Sequence, residues 1–298
     1  MLGNLFYGCG TALVTPFRNG RVDYDAFERL IDWQIDSGID ALIALGTTGE
    51  PCTLTETERG AIIECAVARV AGRVPLYVGA GSNCTATAAR LSVEAQHLGA
   101  DGLLVVTPYY NRASASGLKE HFLTVADSVD IPVIVYNVPT RTGVNLPPEV
   151  MLDLAKHPLL CAFKEACADL SHAMRLYELV GDGIAIYCGN DDQTLAHMAL
   201  GARGVISVAA NVVPAQMQAL ARNYLRGDVE ASRALQFSLL PLIRALFLDV
   251  SPIPVKEALH MMGMMQNELR LPLTPLDEGK AQTLRRELAR LRLLEQNP

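Results

Sequence analysis

The sequence predicts an α/β chain: a (β/α)8 barrel carrying a C-terminal helical appendix. Three observations predict it. Short apolar runs rich in Val, Ile and Leu recur eight times. Segments of helical spacing, each long enough for a crossover, separate them. Finally, one helix-to-strand junction repeats, as Ser37-Gly38-Ile39-Asp40-Ala41, Leu98-Gly99-Ala100-Asp101-Gly102 and Leu200-Gly201-Ala202-Arg203-Gly204. In each, a glycine suited to a left-handed helix cap leads within a few residues into a strand.

Taken in order, the runs place strands at 10–15, 41–45, 76–79, 103–107, 133–136, 160–164, 184–188 and 205–208. Between them lie helical patterns such as Phe27, Leu30, Ile31, Gln34 and Ile35, or Ala88, Leu91, Ser92, Ala95 and Leu98. Eight such units close a barrel over 1–227 and leave 228–298 as a helical region. There, 231–248 has helical spacing, Pro252 and Pro254 interrupt it, 255–264 resumes, and 278–294 is amphipathic. The rival architecture, a doubly wound open sheet, normally opens on a glycine-rich phosphate loop. Here that loop reads Thr15-Pro16-Phe17-Arg18-Asn19-Gly20, so the barrel is favoured.

Composition narrows function. The chain has 298 residues, 50% of them hydrophobic, with a net charge of -7. That acidic balance argues against nucleic acid and anionic membranes as partners. No stretch approaches 18 uninterrupted apolar residues and the N-terminus lacks a basic, apolar leader pattern, so a soluble cytoplasmic protein is expected. The seven cysteines form no C-x-x-C pair and mostly lie in apolar runs; they read as buried free thiols rather than disulfides or a zinc site. The six histidines match no metal-ligand spacing and read as structural, so no metal is expected.

Active sites of barrels gather at the C-terminal ends of the strands. There the chain offers Gly46-Thr47-Thr48-Gly49-Glu50, Thr107-Pro108-Tyr109-Tyr110-Asn111, Tyr136-Asn137-Val138-Pro139 with Arg141 and Thr142, Lys164-Glu165, and Gly189-Asn190-Asp191-Asp192. Only five of the 25 basic residues are lysine. Lys119 sits in a helix, Lys156 at a helix end, Lys256 at the start of a helix after Pro254, and Lys280 in the polar tail. All four read as solvated surface lysines. Lys164 instead ends a strand, on the face of Leu160 and Ala162, and Glu165 points the other way. A lysine in a barrel mouth can reach its neutral form, attack a carbonyl and form a Schiff base; the structural alternative is a buried lysine paired with an acid. Tyr136, at the mouth end of the adjacent strand, offers a hydroxyl that both donates and accepts protons, against the alternative of a tyrosine packing on a helix. The Thr47-Thr48 pair offers hydroxyls and N–H groups to a carboxylate, or is a plain turn.

These motifs, with Tyr136-Asn137-Val138-Pro139-Thr140-Arg141-Thr142-Gly143 and Lys164-Glu165-Ala166, resemble the family of pyruvate-dependent class I aldolases that includes dihydrodipicolinate synthase and N-acetylneuraminate lyase. The resemblance runs nearly end to end, taking in Thr15-Pro16, Tyr109-Tyr110-Asn111-Arg112, Gly204-Val205-Ile206-Ser207-Val208 and Pro252-Ile253-Pro254-Val255-Lys256. It implies that Lys164 forms the pyruvate imine, with no other cofactor, and that Tyr136 relays protons. Thr47 would link Tyr136 to Tyr110 of a neighbouring subunit, and Thr48 would hold the pyruvate carboxylate. Gly189 and Ile206 match positions lining the pyruvate pocket. Arg141 matches the synthase pattern, where it binds the carboxylate of aspartate semialdehyde, and the neuraminate lyase pattern lacks it. The implied reaction condenses pyruvate with L-aspartate 4-semialdehyde to 4-hydroxy-tetrahydrodipicolinate, the entry to diaminopimelate and lysine synthesis. A tight dimer would be the minimal active unit and a homotetramer the usual assembly.

The chain departs from the family's lysine-inhibited members at Arg59 and Thr87, where they carry histidine and glutamate, so weak or absent inhibition by lysine is expected. Ala113 stands where the family often has proline. Two rival readings are a paralogous aldolase or dehydratase of a 2-keto-3-deoxy sugar acid or hydroxyproline pathway, and a catalytically silent metabolite-binding barrel. Arg141 weighs against the first. The second should lack a lysine, tyrosine or threonine that this chain keeps.

Overall fold

Eight parallel strands form a closed barrel in chain order, each pairing with the next and the last with the first. They are β1 (Gly8–Ala12), β2 (Ala41–Ala44), β3 (Leu76–Gly79), β4 (Gly102–Val106), β5 (Val133–Asn137), β6 (Ala162–Glu165), β7 (Ala185–Cys188) and β8 (Gly204–Ser207). The computed structural model describes residues 5–294. Its helices are α1 (Tyr24–Asp36), α2 (Glu56–Val70), α3 (Thr85–His97), α4 (Ala115–Asp127), the one-turn α5 (Pro139–Thr142), α6 (Pro148–Leu154), α7 (Leu170–Val180), α8 (Thr194–Ala199), α9 (Pro214–Leu225), α10 (Val229–Leu246), α11 (Ile253–Met261) and α12 (Glu278–Arg290). Gly38, Gly99 and Gly201 have φ of +86°, +99° and +110°, as the repeated junction requires.

The first strand begins and ends earlier than its apolar run suggests. Gly8 already pairs with Gly204, whereas the N–H of Val14 turns to the Asn211 side chain and leaves the ladder. The sixth begins later, at Ala162. Leu160 and Cys161 precede it, and Leu160 packs in the layer between strands and helices rather than on the inner face with Ala162. Alternation fails there because the backbone has not yet become pleated.

The barrel interior is closed at one end by rings. Phe6 stacks on Tyr187 with centroids 4.3 Å apart, and the Tyr187 hydroxyl donates to the Phe6 carbonyl at 2.7 Å. A Cβ on Gly10 would come within 2.8 Å of the Phe6 ring, and one on Gly102 within 2.7 Å of Tyr77, so these strand glycines make room for the plug. The opposite, C-terminal end of the barrel is thereby left for a site.

Gly79 is constrained by backbone: a Cβ there would overlap the Leu45 carbonyl oxygen where β2 and β3 run side by side. Gly79→Ala is therefore expected to destabilise the fold by about 3 kcal/mol, seen as a lower urea midpoint; an unchanged midpoint would refute the constraint.

The C-terminal helices share the outer core. Leu239, Leu242 and Leu246 of α10 and Leu284 and Leu288 of α12 are buried in the same cluster as the barrel's outward-facing residues. Pro252 and Pro254 open α11 at its N-cap and second position, where a missing N–H costs nothing.

Candidate active site

Lys164 is on the inner face of β6, 4% exposed, in register with Tyr136 of β5 on one side and Tyr187 of β7 on the other. Its Nζ lies 4.3 Å from the centroid of the Tyr136 ring. Small neighbours leave the lysine its space: a Cβ on Gly189 would approach the Lys164 Cε to 3.1 Å and the Ala166 Cβ to 2.7 Å. Ile206 of β8 is buried in the same interior cluster as Tyr136. Among the described residues Lys164 makes no salt bridge. The acid whose charge state it influences is Asp191, which is fully buried after β7. Burial drives the Asp191 carboxyl above its usual range, opposed by the N–H groups of Val208 and Ala209, at 3.0 and 2.8 Å, and by the charge of Lys164.

Thr47-Thr48-Gly49 forms one 3-10 turn directly after β2, between Leu45 and Glu50, both at positive φ. Two anchors hold it: the Thr15 hydroxyl donates to the Gly49 carbonyl at 2.7 Å, and the Glu50 N–H donates to the Thr47 carbonyl at 3.3 Å. Thr48 is buried. Thr47, Tyr136 and Arg141 line one cavity of about 510 Å³ at the barrel mouth, walled by Leu104, Val106 and Val138. The cavity continues between α2 and α3, past Tyr109, to Arg59 and Thr87.

Arg141 sits on α5, whose start is fixed by Pro139 and whose end is capped by Gly143 at φ +72°. Its Nη2 donates to the Ser251 carbonyl at 3.0 Å, holding the guanidinium at the rim. Tyr110 is set apart from these residues: at φ +74° it is 89% exposed and does not line this cavity.

One reading of the lysines is overturned. Lys256 is not a solvated surface residue; it is fully buried, and its Nζ donates to Glu50 Oε1 at 2.6 Å and stands over the Phe17 ring at 4.1 Å. The whole stretch from Ser251 to Leu259 is buried, so the start of this helix does not face water. Burial pulls the Lys256 pKa down, and Glu50 partly restores it. Lys156 is exposed and Lys119 and Lys280 are half-buried, each paired with an aspartate. Of the thiols, Cys52 and Cys84 are exposed rather than buried, both on loops leaving the barrel mouth.

Sequence reasoning also missed a polar layer behind the site. Glu165, adjacent to Lys164 but facing outward, accepts from Asn137 Nδ2 at 3.0 and 3.1 Å and from the Cys167 N–H at 2.5 Å. The His172 Nε2 lies 3.7 Å away. Desolvation raises the Glu165 pKa to about 7 against these hydrogen bonds. The signal was available: Asn137 and Glu165 occupy matching positions on neighbouring strand ends.

Against known proteins, the model of the dihydrodipicolinate synthetase family matches residues 5–291. The chain belongs to that family. It is thus a lyase of the class I aldolase type. The chain is 46% identical to the 4-hydroxy-tetrahydrodipicolinate synthase of Alkaliphilus oremlandii over 97% of its length and 100% of the relative's. With the protein of the same name from Caldicellulosiruptor bescii it shares 47% identity over 96% and 97%. The crystal structure of dihydrodipicolinate synthase from Thermotoga maritima superposes with a TM-score of 0.96 at 43% identity, covering 98% of this chain and 100% of that one. Family membership and barrel agree with the resemblance drawn from the motifs, and this dihydrodipicolinate synthetase family member has no helix, among the described residues, long and apolar enough to cross a membrane.

Proposed function

We propose that the chain condenses pyruvate with L-aspartate 4-semialdehyde to 4-hydroxy-tetrahydrodipicolinate, in the cytoplasm, through an imine on Lys164. The observation that carries this reading is the buried Lys164 amine, in no salt bridge among the described residues, standing 4.3 Å from the Tyr136 ring inside the barrel. The neutral amine attacks the C2 carbonyl of pyruvate, and the carbinolamine loses water to give the iminium. Loss of a C3 proton then yields an enamine, whose C3 attacks the aldehyde carbon and leaves an alkoxide to be protonated. The amine of the semialdehyde adds to the imine carbon and displaces Lys164, closing the ring and freeing the enzyme. Each step moves a proton within reach of one amphoteric hydroxyl, the role assigned to Tyr136. The imine is itself the electron sink, so the scheme calls for no metal or other cofactor.

Thr48 holds the pyruvate carboxylate on the turn, and Thr47 and Tyr136 line the same cavity. Gly189 and Ile206 shape the pyruvate pocket beside Lys164. Arg141 at the rim supplies a planar cation for the second carboxylate. An outward-facing Tyr110 suits delivery to a neighbouring subunit's relay, with a dimer as the active unit and a homotetramer as the assembly. The names of the relatives support the reaction. Comparing kcat/KM for pyruvate with aspartate semialdehyde against sugar-derived aldehydes tests it: a preference for a polyhydroxy aldehyde would overturn the assignment.

Lysine is expected to inhibit weakly or not at all. Arg59 is buried, its Nη2 donating to the Gly79 carbonyl at 2.9 Å, and it shares the cleft with Thr87 and Arg90. Glu56 in that cleft is taken by Arg90. An incoming ammonium therefore meets like charge and finds no free carboxylate at position 87. Titrating lysine into a coupled assay checks this, and inhibition at submillimolar concentration refutes it.

A further inference from the structure

The buried pair between Lys256 and Glu50 joins two parts of the chain 206 residues apart. Glu50 ends the Thr47–Gly49 turn in a left-handed conformation, φ 54° and ψ 41°, and its other carboxylate oxygen accepts from the Arg270 N–H at 3.3 Å. The Phe17 ring stands 4.1 Å from the Lys256 ammonium and 4.4 Å from the Arg270 guanidinium, taking the place of water for both cations. Five residues before Lys256, the Ser251 carbonyl accepts the hydrogen bond from Arg141. One short buried segment thus grips both the threonine turn and the rim arginine.

We infer that Lys256, acting through Glu50, is a positioning residue that fixes the distance between the Thr47–Thr48 turn and the Arg141 guanidinium, and so the spacing of the two substrate carboxylates. The inference rests on the function proposed above, in which those two places hold pyruvate and the semialdehyde. A fully desolvated ion pair contributes less stability than well-packed apolar side chains of the same volume would. What the pair adds is direction: among the described residues Lys256 donates to Glu50, at the end of the turn that must be aimed. An apolar replacement fills the volume and removes the turn's tie to α11, while the weaker contact from the Arg270 N–H and the Thr15 bond remain. The C-terminal region thereby becomes part of the site's geometry rather than a cover on the barrel.

The test uses the full chain and borohydride trapping of the pyruvate adduct, read by mass spectrometry over a pyruvate titration, alongside KM and kcat with the semialdehyde. Lys256→Met is expected to raise the half-saturating pyruvate and the semialdehyde KM by about tenfold or more, while saturating pyruvate still labels Lys164 fully. Should that variant fail to fold, Glu50→Gln/Lys256→Met carries the test, since it leaves no unpaired buried charge. Its thermal midpoint is expected near wild type with the raised half-saturation retained, whereas Lys256→Arg restores most of the wild-type value. A double variant that is stable and has wild-type half-saturation for both substrates overturns the inference. A wild-type chain that gives no adduct on Lys164 is a different result: it overturns the proposed function, and the inference falls with it.

Discussion

Lys164→Ala is expected to lose the borohydride-trapped pyruvate adduct completely and to lower turnover by on the order of 10⁴-fold or more, as removal of a covalent nucleophile does. The fold should survive. Lys164 makes no salt bridge among the described residues, so its loss breaks no ion pair; Asp191 loses a distant favourable charge but keeps the Val208 and Ala209 N–H groups, and the alanine would sit among Ala162, Ala166 and Gly189, already small. Tyr136→Phe gives the contrasting result. The ring still packs over the lysine at the 4.3 Å contact and the adduct still forms, while turnover drops roughly 10²-fold because only the relay proton is gone. Mass spectrometry of the trapped protein separates the two variants before any kinetics. An adduct on Lys119, Lys156, Lys256 or Lys280 in place of Lys164, or full turnover by Lys164→Ala, would sink the assignment.

The same five lysines show what the sequence makes legible. Lys164 can be singled out because its setting is local: an apolar run, a period of two and a strand end. Lys256 cannot, because what buries it is non-local. Its acceptor is 206 residues upstream, and a lysine two places after a proline has the same local pattern whether that helix start faces water or a barrel. The eight strands are readable for the same reason as Lys164, and their ends are not, since a ladder stops where a partner stops. Arg141 is placed at the rim by sequence, but its anchor on Ser251 lies 110 residues away and belongs to the same hidden connection. The aromatic plug is not legible in the sequence, because the rings that press on Gly10 and Gly102 come from Phe6 and from the neighbouring strand's Tyr77.

Glu165→Gln is expected to stabilise the protein at pH 8 and to leave it nearly unchanged at pH 4.5. Desolvation of the Glu165 carboxyl raises its pKa to about 7 in the fold, although the Cys167 and Ala166 N–H groups and Asn137 pull it back. The unfolded chain titrates this group near its ordinary 4.5. Below that pH both states hold the proton and the group contributes nothing. As pH rises from about 4.5 to 7 the unfolded chain releases its proton first, so the fold is progressively disfavoured, and above 7 the whole penalty is present, roughly 3 kcal/mol. Glutamine does not titrate and escapes it. Its amide opposes the Asn137 Nδ2, which now donates to both carboxylate oxygens, so the net gain at pH 8 is about 1–3 kcal/mol. The other ionisable neighbours do not reverse this sign. Burial pulls down the pKa of His172, 3.7 Å away on α7, against the charges of Asp169 and Glu149, and burial raises those of Tyr177 and Cys188 so far that both hold their protons throughout the range. Urea unfolding of the two proteins from pH 4.5 to 8 decides the matter through their difference in stability. A Glu165→Gln protein less stable than wild type at pH 8 would mean that the fold prefers the charged carboxylate, with its three hydrogen bonds outweighing the loss of water.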